Sequence, residues 1–105
     1  MKPLRNRRGE LRPVTLCDLL EEGLLADGEE LVWHRPRHPN DAAAFVTGNG
    51  RMRMDGEEFA TLSMAARAVS HSPCNGWAVW RRASDDRVIA QLRSEFLERH
   101  GEVEL

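Results

Sequence analysis

Apolar positions change their period several times along the chain, and each change marks an element. Leu16, Leu19 and Leu20 recur at helical spacing behind Thr15, which has Asp18 three residues on, and Gly23 follows. This predicts a short amphipathic helix with a capped start and a glycine stop. Cys17 precedes Leu20 and Leu24 at helical spacing, which places it on or beside the buried face. Leu31, Val32 and Trp33 open a strand that Pro36 and Pro39 end. Ala44, Phe45, Val46 and Thr47 make a second strand, and Gly48, Asn49 and Gly50 turn it into residues 51 to 54. There a period of two sends Met52 and Met54 to one face and Arg51 and Arg53 to the other. Asp55 and Gly56 turn the chain again.

Helical periodicity returns at Leu62, Ala65, Ala66 and Val69, capped by Thr61 or Ser63 and stopped by residues 70 to 73. Asn75 and Gly76 read as a turn, and residues 77 to 80 as a fourth strand entering Arg81 and Arg82. Ile89, Leu92, Phe96 and Leu97 then describe a last helix that ends near Gly101. The expected fold class is α+β, with a small antiparallel sheet of about four strands and about three helices. Residues 1–12 have few apolar side chains and are expected to be a flexible basic arm. Residues 13–100 form a single domain, and 101–105 a short C-terminal tail.

Composition narrows the function. At 105 residues the chain has room for one domain, large enough to fold without a disulfide framework or a structural metal. No run approaches the roughly 18 apolar residues of a membrane span, and the N-terminus lacks the apolar core of a signal peptide. A cytoplasmic protein is expected, nucleoid-associated if it binds DNA, with Cys17 and Cys74 reduced. A net charge of −2 excludes a polycation that binds nucleic acid by charge alone. The charges are grouped, however. Residues 1–12 sum to +4 and residues 13–30 to −6, and arginines return at 35 and 37, 51 and 53, and 67, 81 and 82. Such blocks permit a basic face on a slightly acidic protein.

No glycine-rich phosphate loop, nucleophile elbow or HExxH motif occurs, so the chain reads as non-enzymatic. His34 and His38 are separated by proline and cannot share a helix face, and His71 with Cys74 supplies only two ligands, so neither a metal nor another cofactor is expected. The informative segment is Asn75 to Trp80, NGWAVW. On a strand its two tryptophans emerge on opposite faces, one for the core and one available; packing of both is the alternative. An exposed indole offers a stacking surface for a base, with Asn75 at the base edge and Arg81 or Arg82 on phosphate.

The order VTLCDLLEEGLLADGEELVW, the hairpin VTGNGRMRMDGEEF, and LSMAARAVSHSPCNGWAVWRR resembles the RAMA domain, the restriction enzyme adenine methylase associated family, over about residues 13 to 93. The resemblance implies a reader of modified double-stranded DNA, with N6-methyladenine the leading candidate mark. Family members are commonly fused to nuclease, methylase or peptidase-like domains, which implies a nuclease or methylase partner for an isolated module. The family's characteristic positions fall on Ala65, Ala66, Asn75, Gly76, Trp77 and Trp80; the alanines and Gly76 suit packing, while Asn75, Trp77 and Trp80 are divided between fold and readout. The candidate DNA-binding residues are Arg51, Arg53, Ser72, Asn75, Trp77, Trp80, Arg81 and Arg82, with the two arginine pairs expected in one patch beside an exposed indole. The alternative function is a protein interaction module that docks on a nuclease, methylase or transcription partner through the acidic block from Asp18 to Glu30.

Overall fold

A computed structural model describes residues 4, 5 and 8–101. Lys2 and Arg7 of the expected arm, and residues 102–105 of the expected tail, lie outside the described residues. The elements run α1 (Leu16–Glu21), β1 (Glu30–Trp33), β2 (Ala42–Val46), β3 (Met52–Met54), β4 (Glu57–Phe59), α2 (Leu62–Ser70), α3 (Gly76–Val79), β5 (Arg81–Arg82) and α4 (Ile89–His100). The fold is α+β. Its antiparallel sheet has five strands in the order β4-β3-β2-β1-β5, and four helices accompany it.

Register divides the sheet into two unlike faces. Leu31 pairs with Ala44, and Val46 with Met52, and all four are fully buried. They meet Leu19, Leu62, Ala65, Ala66, Trp80, Ile89 and Leu92 in a single core, so the helices cover this face. One residue out of phase, Glu30, Phe45, Arg53 and Glu58 align across four strands on the other face. Phe45 is 45% exposed there, so the second face is open. Met54 is half-buried and Arg53 exposed, as the alternation in the hairpin predicts.

The helix starts follow from local chemistry. The Asp18 carboxylate accepts from the Thr15 backbone N–H at 2.8 Å and closes the first turn of α1. It is also gripped by both terminal nitrogens of Arg12, at 2.8 and 2.9 Å. Arg12 N–H in turn donates to the Leu4 carbonyl, and Leu4 packs against the core. Thr61 Oγ1 caps α2 by accepting from Met64 N–H, and His71 ends that helix in the left-handed conformation.

Three expectations change. Residues 76 to 79 form a helix, because Asn75 Oδ1 accepts from Trp77 N–H as an N-cap and Trp80 N–H closes on Gly76 O. The tight turn at Asp55 and Gly56 leads into β4, which pairs with β3 as an additional strand. Cys17 is exposed, its Sγ beside the Asn49 carbonyl on the hairpin turn, because the buried stripe of α1 runs through Leu16 and Leu19. Among the described residues no helix is long and apolar enough to cross a membrane.

Candidate nucleic-acid interface

The two tryptophans of NGWAVW have separate fates. Trp80 is fully buried; its Nε1–H donates to Leu62 O at 3.0 Å, and its ring meets Trp33 edge-on at 6.1 Å. Burying an indole of about 150–250 Å² is worth roughly 4–6 kcal/mol by area. Trp80 therefore belongs to the core and has no surface left for a base. Trp77 is half-buried, with the Arg93 guanidinium 4.8 Å from its ring centroid. The partition into one core and one accessible indole arises from a helical turn, since strand parity does not operate over residues 76 to 79.

Trp77 also walls a partly enclosed cavity of about 280 Å³, shared with residues 13 to 16, Gly50 and residues 60 to 63. Val14, Leu16, Ala60, Leu62 and the indole make its lining mainly apolar. Hydroxyls add polarity at one edge. Thr61 Oγ1 accepts from Met64 N–H and Ser63 Oγ from Gly76 N–H, which leaves the O–H of each to donate. The volume lies just below the usual range of ligand sites, about 300–1,000 Å³, and leaves room for no more than one small planar group.

Two close approaches build this cavity. A Cβ on Gly76 would lie 2.2 Å from the Leu62 carbonyl carbon and 2.4 Å from Ser63 N, so only glycine lets α3 sit against the start of α2. Gly50 has φ +79° and a Cβ there would lie 2.4 Å from Cys17 Sγ, so the hairpin turn too needs glycine to approach α1.

The predicted arginines do not form one patch. β3 and β5 are separated by β2 and β1, which is about 14 Å at ordinary strand spacing. Arg51 and Arg53 both lie near Glu58, at 3.6 Å each. Arg81 shares the open face but pairs with Asp86. Arg82 shares the register of Leu31 on the covered face and is held by Leu24 O, Asp85 and Glu29. The hydrogen bond that Arg82 donates to Asp85, with the neighbouring acids, outweighs burial and holds the guanidinium more firmly protonated than usual. Ser72 is exposed beyond α2 and bonded to Ser70, and the Asn75 amide oxygen is used in capping α3.

Half of the acidic block is also engaged. Asp18 binds Arg12, Glu22 binds Arg99 and His100, and Glu29 caps Ala26 N–H and approaches Arg82. Residues missed by motif reading lie after β1, in the run WHRPRHP. Trp33, Arg35, Pro36, Arg37, His38 and Ser70 line a cleft of about 400 Å³. Two arginines interleaved with histidine and proline behind a tryptophan are the signal in the sequence that could have drawn attention there. At the base of this loop His34 bridges two carboxylates, Nδ1 to Asp41 and Nε2 to Asp86, both at 2.8 Å. Hydrogen bonds donated by the protonated ring to Asp41 first and Asp86 second raise its pKa above the ordinary imidazole value. Among the described residues no group of three or more His, Cys, Asp or Glu is placed to hold a metal ion.

The family model described as Restriction Enzyme Adenine Methylase Associated, RAMA, matches residues 2–102. No curated protein matches the chain.

Proposed function

Because the chain belongs to the RAMA family, which by name accompanies restriction enzymes and adenine methylases, we propose that it is a non-enzymatic module that binds double-stranded DNA and reads a modified base, N6-methyladenine first among the candidates. The observation that supports this reading is the cavity beside Trp77. It joins an indole for stacking, an apolar lining for a methyl group, and two hydroxyl donors for ring nitrogens. Since Trp80 is buried, the readout rests on Trp77. N6-methyladenine carries no charge, so an apolar notch is the appropriate receptor and a cation cage is not. Burial of one methyl is worth about 0.8 kcal/mol, a factor of roughly four in affinity.

The test is fluorescence anisotropy with one duplex carrying adenine or N6-methyladenine at a single position, at several salt concentrations. Preference for the methylated duplex is expected, and Ala60→Leu, an exposed position at the cavity edge, should erase the preference. Trp77→Ala should weaken methylated-duplex binding by about 1–3 kcal/mol. Equal binding to both duplexes ends the base-reading claim, and binding to neither ends the DNA claim.

Docking on a nuclease or methylase partner is the second reading. It is favoured by Phe45 on the uncovered sheet face rather than by the acidic block, half of whose carboxylates are taken. Phe45→Asp should then release a co-purifying methylase while leaving duplex affinity intact; retention of the partner counts against it.

A further inference from the structure

The arginines fall into two classes. Arg12, Arg51, Arg53, Arg81, Arg82, Arg87 and Arg99 each have a carboxylate within ion-pair distance. Arg35, Arg37, Arg67 and Arg93 have none among the described residues; of these Arg93 lies over the Trp77 ring, Arg67 is on a separate cleft beside His71, and Arg35 and Arg37 share one cleft. Arg35 stacks its guanidinium 5.6 Å from the Trp33 ring centroid and donates to His38 Nε2 at 2.9 Å. A guanidinium only donates, so His38 Nε2 accepts there, and Arg35 has no carboxylate counter-ion among the described residues. Arg37 is exposed on the same cleft. The cleft therefore joins two uncompensated guanidinium groups, an indole and the Ser70 hydroxyl end of α2 in one concave surface. That is the chemistry of a phosphodiester site: forked donors for phosphate oxygens and an aromatic surface for the sugar or base beside them.

We infer that this cleft, and not the paired arginines of β3 and β5, holds the DNA backbone. The inference rests on the DNA-binding reading and adds the surface that would supply affinity. Position supports it. Leu62 and Ser63 at the start of α2 line the Trp77 cavity, and Ser70 at its end lines the cleft. Eight helical residues span about 12 Å, or three to four nucleotide steps of about 3.4 Å along one strand. One duplex can thus place a base at the cavity and its own strand's phosphates in the cleft. The His34 clasp to Asp41 and Asp86 ties both ends of the loop that carries Arg35 and Arg37, so the guanidinium groups are presented from a fixed base.

The experiment compares the protein with its R35Q/R37Q and R51Q/R53Q variants in binding methylated and unmethylated duplex between 50 and 200 mM salt, with near-UV circular dichroism as the check on fold. Loss of two phosphate contacts should reduce the slope of log K against log salt by about 1.8, so that the affinity lost across that salt range shrinks about twelve-fold. R35Q/R37Q should weaken both duplexes by the same factor and leave the methyl preference unchanged, while R51Q/R53Q keeps the full slope. An unchanged slope in R35Q/R37Q, with the parent protein binding DNA, overturns the inference and leaves the base-reading proposal standing. A slope that falls only in R51Q/R53Q does the same. Absence of duplex binding by the parent protein at any salt overturns both.

Discussion

Gly76→Ala is the substitution whose consequence the geometry fixes most tightly. The added Cβ would lie 2.2 Å from Leu62 C, 2.4 Å from Ser63 N and 2.5 Å from Leu62 O, against an ordinary carbon contact of about 3.5–4.0 Å. All three neighbours are backbone atoms, so no side-chain rotation relieves the clash, and α3 must retreat from α2 by more than about 1 Å. Two hydrogen bonds cross that gap, Gly76 N–H to Ser63 Oγ at 2.9 Å and Trp80 Nε1–H to Leu62 O at 3.0 Å. Weakening both costs about 2 kcal/mol, and overpacking adds about 1–3. The better helix propensity of alanine returns about 1. The net expectation is destabilisation by about 2–4 kcal/mol, a large part of the roughly 5–15 kcal/mol that holds a domain folded. Equilibrium urea unfolding followed by tryptophan fluorescence should show the midpoint falling by about 1–3 M at a slope near 1.5 kcal/mol/M. Because Leu62, Ser63 and Trp77 all line the cavity, methyl preference should fall in the same variant under native conditions. A loss of stability under 1 kcal/mol, with the Trp80 indole N–H resonance unmoved, refutes the close-packing account.

Other substitutions separate the remaining contributions. Trp80→Phe removes the indole donor to Leu62 O, a carbonyl that the first turn of α2 still engages; an expected loss of about 0.5–1.5 kcal/mol from the bond, read in urea, is the check, and an unaltered midpoint would show that the bond contributes nothing. For Asp18, burial opposes ionisation, but hydrogen bonds from Arg12 and the Thr15 N–H outweigh it and hold the carboxyl below its ordinary range. Its stabilisation is therefore full above about pH 4 and lost as pH falls through the lower folded value; Asp18→Asn should flatten that acid limb while lowering stability at neutral pH. His34 has the opposite sign: its raised pKa makes the clasp fully stabilising below about pH 6.5 and lost as pH rises through the folded value. Proton NMR of the ring should report the raised value, and His34→Gln should remove the alkaline-side decline in urea midpoint; a ring that titrates at the ordinary value contradicts the clasp.

Elements governed by local periodicity were legible in the sequence. The buried faces of α1, α2 and α4 at Leu16, Leu62, Ala65 and Ile89, and the inward methionines of β3, follow from spacing alone. The misread segment, residues 76 to 79, is one where two local signals compete. Tryptophan and valine favour a strand, whereas Asn75 caps a helix, and the tie is broken by tertiary packing of Gly76 on Leu62 and Ser63. Strand order is likewise non-local. Nothing near Arg81 in the chain announces that β5 pairs with β1, so the separation of the two arginine pairs is set by long-range strand pairing alone. The same holds for partners: Arg51 and Arg53 look like available cations until Glu58 is seen across the ladder from Arg53. In the run WHRPRHP, by contrast, no carboxylate follows until Asp41, and the structure gives that one to His34.

This distribution of charge bears on how selectivity and affinity would divide in the proposed reader. Unstacking a base from a duplex costs a few kcal/mol, and stacking on one indole returns about 1–3. The Trp77 cavity, with a methyl worth about 0.8 kcal/mol, would then roughly balance extrusion and leave little surplus for binding. Affinity must come from elsewhere. Uncompensated guanidinium groups supply it in a form that does not distinguish one base from another, whereas arginines already paired to Glu58 or Asp85 would first have to give up those partners. A module with a net charge of −2 can therefore grip a duplex through few cations, provided they are unpaired and held on a clasped loop. In the proposed reader its modest total charge would keep binding to unmodified DNA weak, so that the small energetic difference made at the cavity would decide where it stays.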